Sequence, residues 1–293
     1  MVSITASEVP TAKLHGYLLG AVGPRPIAFA STIDDRNRPN LSPFSFFNVF
    51  GSNPPILIFS SSRRVRDNST KHTLENVLKN REVVINVVNY DMVQQMSLAS
   101  TEYMEGENEF IKSGLTMLPS DLVKPFRVAE SPVQFECRVV KVEPLGKEGG
   151  AGNLIFSEVL KIHVDADILD ENGAIDQFKI DQVARMGGNW YSRANMGLFE
   201  VPKPVSNLGI GVDQIPEHIR LSNVLTGNDL GMLGNIEKLP SQEEVRQYVD
   251  TNVDLRSILS SGDEALLHAR AQELLKNKDV LSAWKVLLAE MPT

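Results

Sequence analysis

The residues best suited to chemistry lie in a basic, hydroxyl-rich segment, "SSSRRVRDNSTKHT", at residues 60–73. It places Arg63, Arg64, Arg66 and Lys71 close together in a chain whose net charge is -8. A predicted helix begins where the segment ends, and the first N–H groups and the dipole of a helix attract anions. Hydroxyls, arginine and lysine also suit a phosphate. The segment therefore indicates a phosphate site or, equally, a solvated loop that ends in an ordinary helix cap.

A second candidate is the aromatic segment "NLSPFSFFN" at residues 40–48, where Phe46 and Phe47 interrupt the alternation of a plain strand. A heteroaromatic ring needs a flat apolar slot with a few polar groups at its rim. The backbone of 45–47 and the Asn48 amide could form such a rim. The alternative is a core strand that ends at a turn, because aromatic clusters usually belong to a core.

The third candidate is "PIAFAST" at residues 26–32. Alternation along a strand places Ala28, Ala30 and Thr32 on one face. That face is unusually small, so it leaves room for a flat ligand. A close-packed barrel wall explains the same residues equally well.

Several kinds of chemistry are not indicated. The chain has one cysteine and five scattered histidines, so neither a disulfide nor a metal site is expected. It lacks a G-x-S-x-G nucleophile elbow and a Walker loop, and "GIGVDQ" has Gln214 where a dinucleotide fingerprint needs its third glycine. Any chemistry is therefore expected to come from a bound cofactor.

Charge and composition also limit the partners. The negative net charge argues against binding to nucleic acid or to anionic membranes. No apolar run approaches the roughly 20 residues that span a bilayer, and the N-terminus is not typical of a signal peptide. With a single cysteine, these features predict a cytoplasmic protein that acts on small molecules.

The elements that must position these residues are mostly strands. The predicted strands cover 26–32, 40–48, 56–62, 82–89, 132–145 and 153–165, and short helices are predicted at 73–80 and 91–100. The turn formers of 33–40 make the second strand the return strand of a hairpin. Many strands with short links and two inserted helices predict a mainly β fold, a barrel with helical additions.

The composition changes after residue 200. Pro202 and Pro204 bracket a predicted linker, so the expected domains are 1–204 and a helical C-terminal extension at 205–293. Two capping boxes are predicted in the extension, Ser241 with Glu244 and Ser261 with Glu264. Its apolar stripes are expected to pack against the barrel or a second subunit.

Together, these segments resemble the flavin reductase-like family, flavoproteins with an FMN-binding split barrel that include flavoredoxin-type proteins. The resemblance rests on "RPIAFASTIDDRNRPNLSPFSFFNVFGSNPPILIFSSS", "KHTLENVLKNREVVINVV" and "IDQVARMGGNWYSR" in this order. It covers roughly residues 10–200. Two positions depart from the family pattern: His72 replaces an aspartate, and Met186 replaces the leucine before the paired glycines.

The resemblance implies a six-stranded antiparallel barrel of Greek-key character and a homodimer with FMN near the subunit interface. It implies a set of residues around the cofactor, with Asn48 and Tyr191 closest to the chemistry. The cofactor-binding residues would be Ser31, Thr32, Ser45, Phe46, Phe47, Asn48, Ser60, Ser62, Arg63, Arg64, Lys71, Thr73 and Trp190. Of these, Ser60, Ser62, Lys71 and Thr73 would approach the ribityl chain and phosphate, with Arg63 or Arg64 assisting.

The implied activity is an FMN-dependent oxidoreductase that takes hydride from NADH or NADPH and passes electrons onward. One alternative is a flavoredoxin-type electron carrier, with little reductase activity of its own and a redox partner protein. Another is a non-catalytic interaction protein on the same fold. The sequence leaves these open.

Overall fold

The computed structural model describes residues 1–104, 106–201 and 208–290. The chain divides into two compact units, Met1–Phe199 and Glu200–Thr293. Each unit has its own cluster of buried apolar side chains. The linker predicted at Pro202 and Pro204, and the domain boundary after residue 204, lie outside the described residues.

The first unit is built on antiparallel strands. They are β1 (Ala28–Ile33), β2 (Pro39–Phe44), β3 (Phe47–Ser52), β4 (Pro55–Ser60), β5 (Glu82–Asn86), β6 (Met117–Leu118), β7 (Arg127–Val128), β8 (Val133–Pro144), β9 (Asn153–Val164), β10 (Val183–Arg185) and β11 (Tyr191–Arg193). Seven form one sheet in the order β2-β1-β5-β8-β9-β4-β3, while β6–β7 and β10–β11 form two small ladders. The predicted β1–β2 hairpin is present, and β8 and β9 also pair as antiparallel neighbours.

The sheet must curl strongly, because β2 and β3 lie at its opposite edges and only Ser45 and Phe46 join them. In a flat sheet of seven strands the two edges would be roughly 29 Å apart. A two-residue link spans only about 10 Å. Two shifts of register between β8 and β9, at 136–137 and 139–141, mark bulges that increase bending and twist.

The sheet has seven strands where six were expected, because the predicted strand 40–48 is two strands. The chain bends at Ser45 and Phe46, so β2 ends and β3 begins within this segment. Phe44 is buried in the core and Phe47 packs against the same cluster, whereas Phe46 is 40% exposed. The bend therefore accounts for the broken alternation of the phenylalanines.

The two faces of β1 contact different clusters. Ala28 and Ala30 are fully buried with Phe44 and Phe59, whose ring centroids lie 5.2 Å apart. Phe29, on the other face, packs in a cluster that includes side chains of the helical insertions. The small face of β1 is thus a close-packed wall, the second of the two alternatives for this segment.

The helices of the first unit are short. They are α1 (Thr11–Ala21), α2 (His72–Asn80), α3 (Val93–Leu98) and α4 (Glu109–Ser113). Helices α2 and α3 confirm the predicted inserted helices. Helix α1 was not predicted, and none of its residues is buried.

The described part of the second unit is helical, as predicted. Its helices are α5 (Glu217–Arg220), α6 (Gly227–Gly234), α7 (Gln242–Thr251), α8 (Val253–Ser261), α9 (Glu264–Lys276) and α10 (Val280–Leu287). They enclose Trp284, whose indole N–H donates to the Leu233 carbonyl at 3.0 Å. In the three described ranges, no helix has the length and apolarity needed to cross a membrane.

One of the two predicted capping boxes is present and the other is wrong. Ser241 and Glu244 cap α7 reciprocally. At the second position Gly262, with φ of 67°, ends α8 in the left-handed conformation, and Asp263 then caps α9. Ser261 instead donates its hydroxyl to the Ile258 carbonyl, because it belongs to the last turn of α8.

Glu136 of β8 is a fully buried carboxylate with three polar partners. It accepts hydrogen bonds from the N–H groups of Asp121 and Leu122 at 2.9 and 2.6 Å, and it lies 2.6 Å from Nε2 of His163. Burial alone raises the pKa of Glu136, but these partners outweigh it and hold the pKa below its ordinary value. The carboxylate therefore ties the chain at 121–122 to the sheet.

We expect Glu136→Gln to lower the free energy of unfolding at pH 7 by about 1–3 kcal/mol, because an amide NH2 would face a backbone donor. Urea denaturation measures this. A carboxyl group with a depressed pKa stabilises the fold at pH values above its pKa in the unfolded chain. The difference in stability between wild type and Glu136→Gln should therefore shrink as the pH falls through the folded-state pKa of Glu136. Glu158→Gln is the control, since Glu158 pairs with an exposed arginine and should cost at most about 1 kcal/mol. Equal losses in the two variants would contradict the assignment.

Candidate functional site

A polar cleft lies beside edge strand β2, where α2 begins. Its lining includes Asn40 and Ser42 of β2, Arg64, Lys71 and Thr73. The last three are predicted phosphate-binding residues, and the structure brings them to one cleft. Ala99 and the chain at 100–103 form the opposite wall.

Lys71 carries a positive charge in this cleft, and Glu102, the carboxylate that attracts it, is already paired with Arg64. Its ammonium lies 4.9 Å from the ring centroid of Phe44, and it makes no hydrogen bond or ion pair with any described residue. Burial and then the neighbouring charge of Arg64 lower the pKa of Lys71. A half-buried ammonium in this position is suited to an anion.

The start of α2 offers backbone donors beside Lys71. Lys71 occupies the N-cap position, and no side chain caps the helix. Within the described residues, the N–H groups of His72 and Thr73 have no acceptor. Because the first N–H groups of a helix need external partners, they complement the ammonium as donors to an anion.

Of the two arginines that were predicted to assist in binding the phosphate, only Arg64 lines the cleft. Arg63 is not in the cleft lining and donates to Asn68, to Oδ1 at 2.6 Å and to the carbonyl at 2.7 Å. Arg64 lines the cleft but already donates to Glu102 at 2.9 Å and to Ser69 at 2.9 Å. Arg64 therefore adds positive potential, while Lys71 has the free donors.

A buried network of amides and hydroxyls fixes this end of the cleft. The Asn40 amide donates to Thr32 at 3.2 Å and to Thr73 at 3.0 Å, and the Asn76 amide donates to Thr32 at 3.0 Å. Both threonine side chains are fully buried. The network joins β1, β2 and α2, so Thr32 holds the start of the helix in place.

A buried acid forms another part of the same wall. Glu109, the first residue of α4, accepts a hydrogen bond from the Leu41 N–H at 3.0 Å. Burial is the main cause that raises the pKa of Glu109. This carboxyl group satisfies a donor of the edge strand.

A second, less polar cleft adjoins the first. It is lined by Ile27, Pro43, Ser45, Met96, Ser100, Arg185 and Tyr191. Ser100 also lines the first cleft, so the two are neighbours. We call them together the β2 groove, with a phosphate end at Lys71 and a ring end at Tyr191. The structure thus brings Ser45 and Tyr191, far apart in sequence, into one cleft.

The β10–β11 hairpin supplies the aromatic wall of the ring end. The Arg185 guanidinium lies over the Tyr191 ring, 4.6 Å from its centroid, and donates to the Gly188 carbonyl at 2.6 Å. Trp190, in the turn between the strands, is 77% exposed. Of the four aromatic residues predicted near the ring, Phe46, Phe47, Trp190 and Tyr191, only Tyr191 lines the groove.

Arg25 anchors this hairpin to the N-terminal helix. Its buried guanidinium donates to the carbonyls of Leu19 at 2.7 Å and Met186 at 2.8 Å, and also to that of Val22. Its backbone pairs with Arg185 as an isolated β-bridge. Burial and then the charge of Arg185 lower the pKa of Arg25.

The other predicted residues do not line the β2 groove, and their roles stay predictions. Asn48 is exposed on β3, and its Oδ1 accepts from the Val49 N–H at 2.8 Å. The buried hydroxyls of Ser31 and Ser60 have no partner among the described residues. The remaining members of this set are Thr32, Phe46, Phe47, Ser62, Arg63 and Trp190.

Sequence reasoning did not find Ser100, Glu109 or Arg185. The first two reach the groove through tertiary packing and follow no motif. Arg185 lies two residues before the paired glycines, inside a segment already singled out, so its position was available as a signal.

The structure also gathers three possible metal ligands that are scattered in sequence. Side-chain atoms of Asp121, Glu136 and His163 lie within 4.8 Å of one another. However, Glu136 accepts the hydrogen bonds described above, and Asp121 pairs with Lys161 at 2.5 Å. These atoms are already used to hold the chain at 121–122.

The donor set of the β2 groove fits FMN. An unpaired ammonium and uncapped helix N–H groups suit the phosphate, and the adjoining cleft with an aromatic wall suits a flat ring. The orphaned hydroxyl of Ser60 lies next to the bend, since the Ser60 N–H donates to the Phe46 carbonyl at 2.8 Å. A buried unpartnered hydroxyl is costly unless a ligand or water satisfies it.

The sequence of this chain is similar to a known domain family and to a protein of another organism. Residues 21–179 match the flavin reductase like domain family. An uncharacterized protein of Aquifex aeolicus is 40% identical over 181 residues, which are 62% of this chain and 90% of that protein.

Two solved structures share the fold. Nitrilotriacetate monooxygenase component B from Bacillus cereus has a TM-score of 0.65 and 25% identity, and the match covers 69% of this chain and 98% of that one. A protein with a split barrel domain from Shewanella frigidimarina has a TM-score of 0.58 and 26% identity, with 67% and 95% covered. The first unit therefore has the flavin reductase split-barrel fold.

We expect Lys71→Met to raise the free energy of unfolding of the ligand-free protein by about 0.5–2 kcal/mol, because it removes an uncompensated charge and keeps the contact with Phe44. Urea denaturation at pH 7 measures this. Because the pKa of Lys71 is lower in the folded protein than in the unfolded chain, the wild type becomes more stable as the pH rises from the folded-state pKa to the unfolded-state pKa. The stability advantage of Lys71→Met should therefore shrink in alkaline buffer. Lys79→Met, at an exposed lysine of α2 paired with Asp35, is the control and should change little. A loss of stability on replacing Lys71 would contradict the assignment.

Proposed function

We propose, since the chain belongs to the flavin reductase like domain family, that it is an FMN-binding oxidoreductase that takes hydride from NADH or NADPH and passes electrons onward. The family is FMN-binding and includes NAD(P)H flavin reductases. The observation that carries the proposal is Lys71, a half-buried ammonium that forms no ion pair with any described residue and lies at an uncapped helix start.

The proposed contacts follow the β2 groove. Lys71 and the first N–H groups of α2 would hold the phosphate, with Thr73 and the charge of Arg64 nearby. Ser45 and Tyr191 would face the ring at the other end. Ser60 and Ser62 are proposed along the polar chain between phosphate and ring, and the predicted roles of Ser31, Phe46, Phe47, Asn48 and Trp190 beside the ring are retained.

The chain itself would bind and orient rather than react. Bound FMN supplies the redox chemistry, since it accepts a hydride and releases electrons to an acceptor. The protein would hold the phosphate and ring at fixed positions and shield the ring with apolar side chains such as Ile27, Pro43 and Met96. This division of labour needs no nucleophile or general base.

Purified protein should bind FMN, and Lys71→Ala should weaken that binding by about 1–3 kcal/mol, because a charged hydrogen-bond donor to the phosphate is lost. Quenching of flavin fluorescence on titration gives the affinity. Riboflavin, which lacks the phosphate, should show little difference between the wild type and the variant.

Lys79→Ala is the matched control for this titration, because it removes an exposed lysine of the same helix. A wild-type protein that fails to bind FMN at micromolar concentrations would overturn the proposal. If FMN binds, oxidation of NADH and NADPH with added flavin separates the alternatives: turnover identifies a reductase, and its absence in a yellow protein identifies the electron carrier.

We also propose a homodimer. Exposed apolar side chains lie on α1, at Tyr17 and Leu18, and on edge strand β3, at Val49 and Phe50. The contact of His15 with Phe46, 6.3 Å between ring centroids, brings α1 to the bend that precedes β3. Apolar patches of this kind are typical of interaction surfaces.

Sedimentation analysis should give twice the mass of one chain, and Phe50→Glu should shift the equilibrium towards single chains, because it puts a charge in the proposed apolar interface. Leu145→Glu changes a similarly exposed leucine just after β8 and serves as control. A wild-type protein that sediments as a single chain at all concentrations would refute the dimer.

A further inference from the structure

Arg185 places an uncompensated positive charge at the ring end of the β2 groove. Its guanidinium stacks on Tyr191, and one nitrogen donates to the Gly188 carbonyl. Its Nε and Nη1 donors have no acceptor among the described residues, and no described carboxylate pairs with it. The residue therefore keeps N–H groups and a full charge available in a cleft where the proposed ligand is a ring.

The neighbourhood strengthens this positive potential. Arg25 lies beside Arg185 because their backbones form a bridge. Its guanidinium donates hydrogen bonds only to carbonyl oxygens, so no carboxylate compensates its charge. Burial is the main cause that lowers the pKa of Arg25, and the charge of Arg185 lowers it further. Arg25 therefore adds a second positive charge beside Arg185, although it does not itself line the cleft.

Arg193, on the same hairpin, shows the contrasting arrangement. It stacks on Tyr90 at 3.9 Å from the ring centroid, but its guanidinium also pairs with Asp181, with its shortest contact at 2.6 Å. It lines a separate cleft on the other side of Tyr191. The hairpin therefore carries one neutralised arginine and one that is free.

The charge at Arg185 matches a charge that appears during the proposed reaction. A hydride carries two electrons and one proton, so its transfer from NADH or NADPH leaves the donor as the oxidised nicotinamide and gives the neutral ring one negative charge. Preorganised donors and cations stabilise charge where it develops. Resting on the proposed function, we infer that Arg185 holds the negative charge that the flavin ring acquires on reduction.

The position of Arg185 separates this role from phosphate binding. Lys71 and the start of α2 serve an anion at the other end of the groove, and Arg185 shares its cleft with Tyr191 and Ser45. It also lies beyond the residues 21–179 that match the family, in the hairpin that follows them. A charge at this place favours the reduced ring over the oxidised ring, because the oxidised ring is neutral.

The test is the midpoint potential of bound FMN, measured by reductive titration against a reference dye. In Arg185→Gln the affinity for oxidised FMN should stay within about threefold of wild type. The ratio of reduced to oxidised affinity should fall about tenfold, which lowers the potential of a two-electron couple by about 30 mV. Arg185→Lys keeps the charge and should retain most of the wild-type potential.

Arg193→Gln is the matched control and should leave the potential unchanged, because Arg193 is already neutralised by Asp181. If Arg185→Gln does not fold, Arg185→Met against Arg185→Lys gives the same contrast between lost and kept charge.

An unchanged potential in the neutral variant, with wild type binding FMN, overturns the inference and leaves the proposed function intact. A higher KM for NADH or NADPH without a change of potential also overturns it, since Arg185 would then bind the donor. Failure of wild type to bind FMN overturns the proposed function and this inference with it.

Discussion

The short connection between β2 and β3 is the constraint on which the rest of the first unit depends. These strands lie at opposite edges of the seven-stranded sheet, yet only Ser45 and Phe46 separate them. The sheet can satisfy this only by curling until its two edges approach each other at the bend. The hydrogen bond from the Ser60 N–H to the Phe46 carbonyl then fixes the bend to β4. The groove exists along β2 because the curled edge leaves that strand uncovered by another strand.

The β2 groove is also where the fold tolerates uncompensated charge. Several cations of the first unit form ion pairs outside this groove, as in the pairs of Lys161 with Asp121 and Arg193 with Asp181. Lys71 and Arg185 have no such partners among the described residues, and they lie in the two clefts of one groove. Unpaired charge costs stability, so natural proteins concentrate it where a ligand repays the cost.

Local patterns predicted most of the elements but not how they meet. Runs of β-branched residues and the turn formers between them located β1, β4, β5, β8 and β9, and the apolar spacing located α2. The bend at Ser45 was missed, because a two-residue turn between edge strands has no strong signal of its own. The second capping box failed because local spacing allowed Ser261 as a cap, whereas the left-handed Gly262 moved the helix start to Asp263.

Some residues of the candidate site were predictable from local sequence, and others were not. The gathering of Arg64, Lys71 and Thr73 in one cleft was predictable, since these residues are close in sequence and lie where a helix begins. The ring end depends on contacts between distant segments, so only the resemblance to a family suggested Tyr191. Glu109 and Ser100 come to the groove through helical insertions whose packing no local rule describes. The sequence left two alternatives open for the small face of β1, because residues that could admit a ligand are equally able to pack, and the structure shows packing.

The hydrogen-bonding pattern of β2 has a consequence for aggregation. In an antiparallel pair, alternate residues direct their N–H groups away from the neighbouring strand, and in β2 these positions are 39, 41 and 43. Pro39 and Pro43 have no N–H group, and the donor of Leu41 is taken by Glu109. The edge of the sheet at β2 therefore offers no free backbone donor with which a strand of another molecule could extend the sheet. The protein can keep an open edge beside a ligand groove without that edge becoming a template for polymerisation.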